Sequence, residues 1–178
     1  LRRYPIGESD YKEIKIQNFF AFDKTLFLKH FFDDSAKVTL LLRPRRFAKT
    51  TTMSMLKYFS DMNEPQSSRE MMFKDTKIWS EQGGQYVRDH GGQYPVIFIT
   101  FNECSNINWE GLKKRLIVLI SDVYKHHRYL MEKDFLAEDE KLEFKRILNA
   151  SPEADYEGAL RKLSEYLYRY YNKKVIIL

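Results

Sequence analysis

The chain has 178 residues, with 30 lysines and arginines against 25 aspartates and glutamates, a net charge of +5 and a pI near 9.1. With 43% hydrophobic and 31% charged residues it can bury one core of ordinary size, which excludes a disordered tail, a collagen-like repeat and a low-complexity segment. Its longest apolar runs, such as 38–42 and 96–101, have five or six residues against the ~20 that cross a bilayer, so no membrane span is expected; the single Cys104 and the lack of an apolar leader point to a reducing, cytoplasmic setting.

Residues 1–36 form an aromatic-rich opening segment in which Asp23 is the expected cap of a helix over 24–32. The run 37–42, Lys-Val-Thr-Leu-Leu-Leu, has the pattern of a strand buried on both faces. It feeds a basic turn, Arg43-Pro-Arg-Arg-Phe-Ala-Lys-Thr50, and then a helix over 51–62. Residues 63–93, with Pro65, Gly83-Gly84 and Gly91-Gly92, read as an irregular excursion holding one short helix or strand near 71–79. A second buried strand is expected over 94–101. Trp109, Leu112, Leu116, Ile120 and Val123 recur at helical steps and predict an amphipathic helix over 108–130, followed by a charged helix over 131–149. Ser151-Pro152-Glu153 has the pattern of a helix start, opening a helix whose apolar face is Tyr156, Leu160, Leu163, Leu167 and Tyr170. A third strand closes the sequence at 175–178. Short apolar strands alternating with helices define an α/β fold with a largely parallel sheet flanked by helices.

The charge is concentrated. Between Ser35 and Ser60 lie six basic residues and no acid, so the rest of the chain carries 24 − 25 = −1. Such a compact cluster around a single turn suits a small anionic ligand better than a nucleic-acid duplex, whose binders spread their cations over a face. A strand, a turn ending in Lys-Thr and a helix are the framework of a phosphate-binding P-loop, written G-x-x-x-x-G-K-[ST]. In that framework backbone N–H groups at the helix start point at the phosphates, the lysine reaches the β and γ oxygens, and the hydroxyl takes one place on Mg²⁺. Here the eight positions run from Arg43 to Thr50, with arginine at the first glycine position and Ala48 at the second.

Several blocks resemble, in order and spacing, the predicted AAA-ATPase-like family: Pro5-Ile-Gly7 with Asp10-Tyr11, Asn18-Phe-Phe-Ala-Phe-Asp-Lys-Thr25, Arg43 to Thr50, Tyr94-Pro-Val-Ile-Phe-Ile99, and Lys173 to Leu178. The family's block reads R-P-R-R-F-G-K-[ST], so Arg43 is normal for it and Ala48 is a departure. The resemblance implies a P-loop fold, ATP and Mg²⁺ as cofactors, and a nucleotide site at Arg43, Arg45, Arg46, Phe47, Ala48, Lys49, Thr50 and Thr51, with Thr50 also on the metal. Family members continue past the last strand into an acidic Walker B block and commonly carry a PD-(D/E)xK nuclease-like domain. By that comparison 1–178 is the N-terminal part of a P-loop domain (1–36 an opening segment, 37–178 the α/β core), cut before the Walker B carboxylates. ATP hydrolysis is then expected only in a longer chain, and any nucleic-acid partner belongs to a separate C-terminal domain.

Two alternatives stand beside the ATP-binding reading. One is a degenerate P-loop scaffold that Ala48 disarms; the other is direct nucleic-acid binding through Arg43, Arg45 and Arg46. His126 and His127 are adjacent and point about 100° apart on a helix, so they form no metal pair. Cys104 reads as an ordinary small residue near a strand end. Tripeptides of the (D/E)-x-K form start at Asp10, Glu13, Asp75, Asp139 and Glu143, too small an excess over the ~2.5 expected by chance to mark a nuclease. Asp134, Glu138, Asp139, Glu140 and Glu143 read as a solvated helix face. The oligomeric state is not encoded in any pattern found.

Overall fold

A computed structural model describes residues 2–102, 104, 108–132 and 135–178. The chain divides into two compact units, Leu1–Tyr94 and Pro95–Leu178.

The first unit is helical: α1 Tyr11–Ile16, α2 Leu26–Asp33, α3 Lys49–Ser60, α4 Gln66–Phe73, α5 Lys77–Ser80 and α6 Gln85–His90, with a 3-10 turn over Glu81–Gly84. Its core gathers Ile14, Leu28, Met55, Leu56, Phe59, Met72, Phe73, Ile78 and Val87, all nearly inaccessible. Phe59 meets the edge of Phe73 at 5.4 Å, Tyr11 stacks on Phe73 at 5.4 Å and Phe32 stacks on Tyr94 at 5.6 Å. These offset and edge contacts are the geometries that aromatic quadrupoles favour.

The C-terminal end of α3 is fixed by backbone bonds to 92–94. Gly92 N–H donates to Phe59 O (2.8 Å), Tyr94 N–H to Ser60 O (3.0 Å) and Met62 N–H to Tyr94 O (3.0 Å). The buried Arg69 lies against this corner and donates to Asp61 O and Glu64 O at 2.9 and 2.8 Å. Gly92 has φ +69, and a Cβ there would stand 2.3 Å from the Arg69 guanidinium. Only glycine satisfies both the conformation and the space.

The second unit contains β1 Val96–Ile97, α7 Trp109–His126, α8 Glu138–Leu148, α9 Ala159–Tyr171 and β2 Ile176–Ile177. The two strands pair in parallel, Val96 opposite Ile176 and Ile97 opposite Ile177. Bonds from Ile99 N to Leu178 O (2.8 Å) and from Leu178 N to Ile97 O (2.9 Å) continue the ladder. The helices between them supply the long crossover that parallel strands require. The core packs Ile97, Tyr124, Leu130, Phe144, Ile147, Leu163 and Leu167, and the Tyr124 hydroxyl donates to Ala159 O at 2.7 Å.

Where the observed fold departs from the sequence expectation, the reasons are local. Residues 38–42 form no regular element and pair with no strand among the described residues, and Val38, Leu40 and Leu42 are 86, 77 and 76% exposed. Residue type favours a strand there, but a strand needs a neighbour to take its backbone groups. Among the described residues the expected largely parallel sheet is therefore seen only as the β1–β2 pair, within a mostly helical structure. The last helix starts at Ala159, eight residues after Ser151. The 151–156 segment closes on itself instead, with Tyr156 Oη donating to Ser151 O (2.8 Å), while Asp155 accepts from Gly158 N (3.1 Å) and Lys162 Nζ (2.9 Å) at the true helix start. Of the acidic face expected on 131–149, Glu138, Asp139 and Glu143 lie on α8. Glu140 also lies there, paired with both Arg169 nitrogens at 2.8 and 2.9 Å; Asp134 lies outside the described residues.

His127 follows α7 and is buried, with a ring bond to the backbone of Val96 and Nδ1 at 3.2 Å from Tyr129 Oη. Burial, and then the neighbouring His126, push its pKa down to about 4 against an ordinary 6.5. The neutral ring is therefore native, and its contribution is intact above pH 6.5 and lost as the pH falls toward 4. Urea unfolding at pH 7 and pH 5 is expected to show about 2 kcal/mol less stability at the lower pH. His127→Gln should remove most of that difference; an equal loss in the variant would refute the assignment.

Candidate functional site

The basic turn 43–48 and the first turn of α3 are contiguous, so the structure brings the sequence-predicted residues Arg43, Arg45, Arg46, Phe47, Ala48, Lys49, Thr50 and Thr51 to one corner of the first unit. The turn passes through two residues in left-handed conformation, Arg46 at φ 65 and Ala48 at φ 56. Ala48 occupies the N-cap position of α3 and offers no side-chain hydrogen bond. Thr52 N and Thr52 Oγ1 both bond to Ala48 O, at 2.9 and 2.8 Å, so the helix ladder begins there.

An α-helix leaves its first N–H groups without intrahelical partners, and here neither a capping side chain nor an acid in the first turn answers them. The helix dipole adds roughly half a positive charge at that end. Around it stand the side chains of Arg43, Arg45, Arg46 and Lys49, all exposed, and none makes an ion pair among the described residues. The corner is thus cationic in both backbone and side chains, and these four cations make no ion pair among the described residues. Lys49 Nζ donates to Arg43 O at 2.7 Å, folding the lysine back across its own turn. Thr50 and Thr51 are half-buried at the helix start.

The helix that carries this corner is held by the opening segment. Asp10 caps α1 by accepting from Glu13 N (3.1 Å) and with its other oxygen accepts from Ser54 Oγ (3.3 Å) and Tyr58 Oη (2.9 Å) of α3. Tyr11 N donates to Ser54 Oγ at 3.0 Å. Burial and then the Asp10 hydrogen bond hold the Tyr58 phenol well above its ordinary range, so it stays a donor.

The Asp23-Lys24-Thr25 block performs a second task. Asp23 is not the cap of α2, which begins at Leu26. Its carboxylate accepts from Thr25 N (2.9 Å), Thr25 Oγ1 (2.7 Å) and Lys77 N (2.7 Å), and the buried Thr25 Oγ1 accepts from Ile78 N at 3.0 Å. The block therefore ties α2 to the start of α5. Burial opposes the charge on Asp23, but the Thr25 and Lys77 bonds outweigh it and hold the carboxyl below its usual range. Lys24 turns the other way and donates to Phe47 O at 3.0 Å, bracing the basic turn from outside. Sequence reasoning assigned no role to Lys24, Asp10, Ser54 or Tyr58; the adjacency of Asp23, Lys24 and Thr25 was the available signal for the first.

No group of three or more His, Cys, Asp or Glu side chains among the described residues could hold a metal ion. No helix among them is long and apolar enough to cross a membrane.

Comparison with known families matches residues 5–178 to the family described as predicted AAA-ATPase. The match spans nearly the whole chain, both units included, and the chain belongs to that family. Comparison with curated proteins and with solved structures finds no match.

Two stability predictions follow from this geometry. A left-handed alanine is strained by about 1–2 kcal/mol, and glycine's greater unfolded-state freedom offsets part of that relief. Ala48→Gly is thus expected to raise unfolding stability by about 0.5–1 kcal/mol; a lower denaturation midpoint would count against the left-handed assignment. Asp23→Ala leaves three donors unanswered and should cost about 1–2 kcal/mol in the same assay. In the wild type the Asp23 contribution is complete above its unfolded pKa and fades as the pH falls through the lowered native value.

Proposed function

We propose that this chain binds the polyphosphate of ATP at the 43–48 turn and the start of α3, in the manner of a P-loop. The observation that carries the reading is an uncapped helix start with no acid in its first turn, ringed by Arg43, Arg45, Arg46 and Lys49. Unpaired backbone N–H groups and a helix dipole favour a polyanion there over any neutral ligand. Membership of the predicted AAA-ATPase family supports the same ligand class.

The donor set suits phosphate oxygens. Arg43, Arg45 and Arg46 can form charge-assisted, bidentate bonds, and Lys49 can exchange the Arg43 carbonyl for a phosphate oxygen. Ala48 contributes its backbone, and Phe47 shapes the turn. For Mg²⁺ the chain offers one hydroxyl, Thr50, with Thr51 beside it. Mg²⁺ usually keeps several waters and is held largely by substrate phosphates, so one protein ligand is compatible with a metal that arrives with the nucleotide. When bound, the ion would neutralise phosphate charge. On this reading the 43–51 corner is the phosphate-binding part of a P-loop NTPase domain.

Calorimetry with Mg·ATP is the direct test. Wild-type protein should release heat with a saturable isotherm, and Lys49→Ala should weaken binding at least tenfold, about 1.4 kcal/mol. No heat from either protein would favour the disarmed scaffold that Ala48 suggests. Ala48→Gly separates impairment from absence, because an impaired site gains affinity and an absent one does not.

A further inference from the structure

Lys24 spends its charge on a neutral oxygen. Its ammonium donates to Phe47 O at 3.0 Å and makes no ion pair among the described residues. The residues on either side fix its backbone: the Asp23 carboxylate accepts from Lys77 N at 2.7 Å, and the buried Thr25 hydroxyl accepts from Ile78 N at 3.0 Å. Lys24 therefore reaches the basic turn from a base clamped to α5.

The oxygen it holds belongs to a peptide unit with a strained neighbour. Phe47 lies between two left-handed residues, Arg46 at φ 65 and Ala48 at φ 56, and that conformation is costly for any residue with a Cβ. Rotating the Phe47–Ala48 peptide unit by half a turn would return Ala48 to negative φ, as when type II and type I turns interchange. The same rotation reverses what the unit presents. In a trans peptide the carbonyl and the N–H point in opposite directions across one plane. In the observed state the Phe47 carbonyl faces Lys24, so the Ala48 N–H faces away from it, and that N–H makes no hydrogen bond among the described residues.

We infer that Lys24 is a positioning residue: by holding Phe47 O it keeps the Phe47–Ala48 peptide unit in the orientation that offers the Ala48 N–H, and not the Phe47 carbonyl, to a phosphate oxygen at the start of α3. The inference rests on the phosphate reading above. Without Lys24, the strain at Ala48 sets the direction in which the unit relaxes. A carbonyl turned toward the anion repels it, where an N–H in the same place attracts it. Glycine at position 48 removes the bias, because it takes either sign of φ about as readily. The weight of Lys24 in phosphate binding therefore depends on which residue stands at 48. No such dependence arises if Lys24 touches the phosphate itself.

The test is a double-mutant cycle read by calorimetry with Mg·ATP on the wild type, Lys24→Met, Ala48→Gly and the variant carrying both changes. Lys24→Met is expected to weaken binding about tenfold when made alone and at most about threefold when Ala48→Gly is also present. Affinity kept by the double variant also certifies that the protein folds without Lys24. Lys24→Arg, which retains a donor able to reach Phe47 O, should stay within about threefold of the wild type. A loss of the same size in both backgrounds would mean that Lys24 contacts phosphate directly or acts only on stability, and the inference fails. It fails equally if Lys24→Met alone binds as tightly as the wild type, and in both cases the phosphate site stands. If neither the wild type nor Ala48→Gly binds Mg·ATP, the phosphate reading falls first and this one with it.

Discussion

Helix α3 starts without a cap, and most of the first unit is organised to let it do so. A helix start that satisfies itself with Ser, Asp or Asn gains about 1 kcal/mol; this one has Ala48 in a left-handed conformation and no side-chain bond. The local deficit is carried by distant contacts. Asp10 binds Ser54 and Tyr58, Met55, Leu56 and Phe59 enter the core, and the 92–94 segment closes the far end through three backbone bonds. Rigidity comes from packing and hydrogen bonds away from the helix start, so the start itself needs no cap. Sites of this kind are local exceptions to good capping, supported by the surrounding structure.

The aromatic opening segment acquires a purpose from the same constraint. Its two polar blocks, Asp10-Tyr11 and Asp23-Lys24-Thr25, act at two places: the first pins the body of α3, and the second ties α2 to α5 while reaching the basic turn through Lys24. An opening segment that looks like a separate element in sequence is in fact the frame of the turn that follows it. Phe32, stacked on Tyr94 and tilted against Phe59, brings the last residues of the first unit into that frame.

What was legible in the sequence was whatever depends on residues near one another. The helical steps from Trp109 to Val123 marked α7, although Trp109 itself is exposed because it sits at the helix start beside the Asn108 cap. The apolar face of α9 was legible from Leu163 and Leu167, but its start was not, because Gly158 begins the helix with no side-chain cap and Asp155 holds it there through bonds to Gly158 N and Lys162. The basic turn and the departure at Ala48 were visible at once, since charge run and motif are both local. The run 38–42 was misread as buried for the opposite reason: pairing is a property of two segments, and the sequence of one says nothing about whether the other lies beside it. Asp10 is more than forty residues from Ser54 and Tyr58, so only the folded chain brings it to them.

The two lysines at the turn are not equivalent, and the difference bears on how an anion could enter. Both donate to turn carbonyls, Lys49 to Arg43 O at 2.7 Å and Lys24 to Phe47 O at 3.0 Å. Lys49 leads the helix, is exposed, and lies among three arginines, so an arriving phosphate can take its ammonium at the loss of one bond to a neutral oxygen. The bond to Arg43 O is already charge-assisted through the ammonium, and a phosphate oxygen adds the attraction of opposite charges that a neutral carbonyl lacks. The exchange is favourable and leaves Arg43 O for water. Lys24 reaches the turn from the segment just before α2, and its bond holds the Phe47 carbonyl from outside. Moving it would loosen the turn without adding a contact at the helix start. On the phosphate reading proposed above, Lys49 is the exchangeable cation and Lys24 the fixed brace, a division that follows from the carbonyl each side chain reaches.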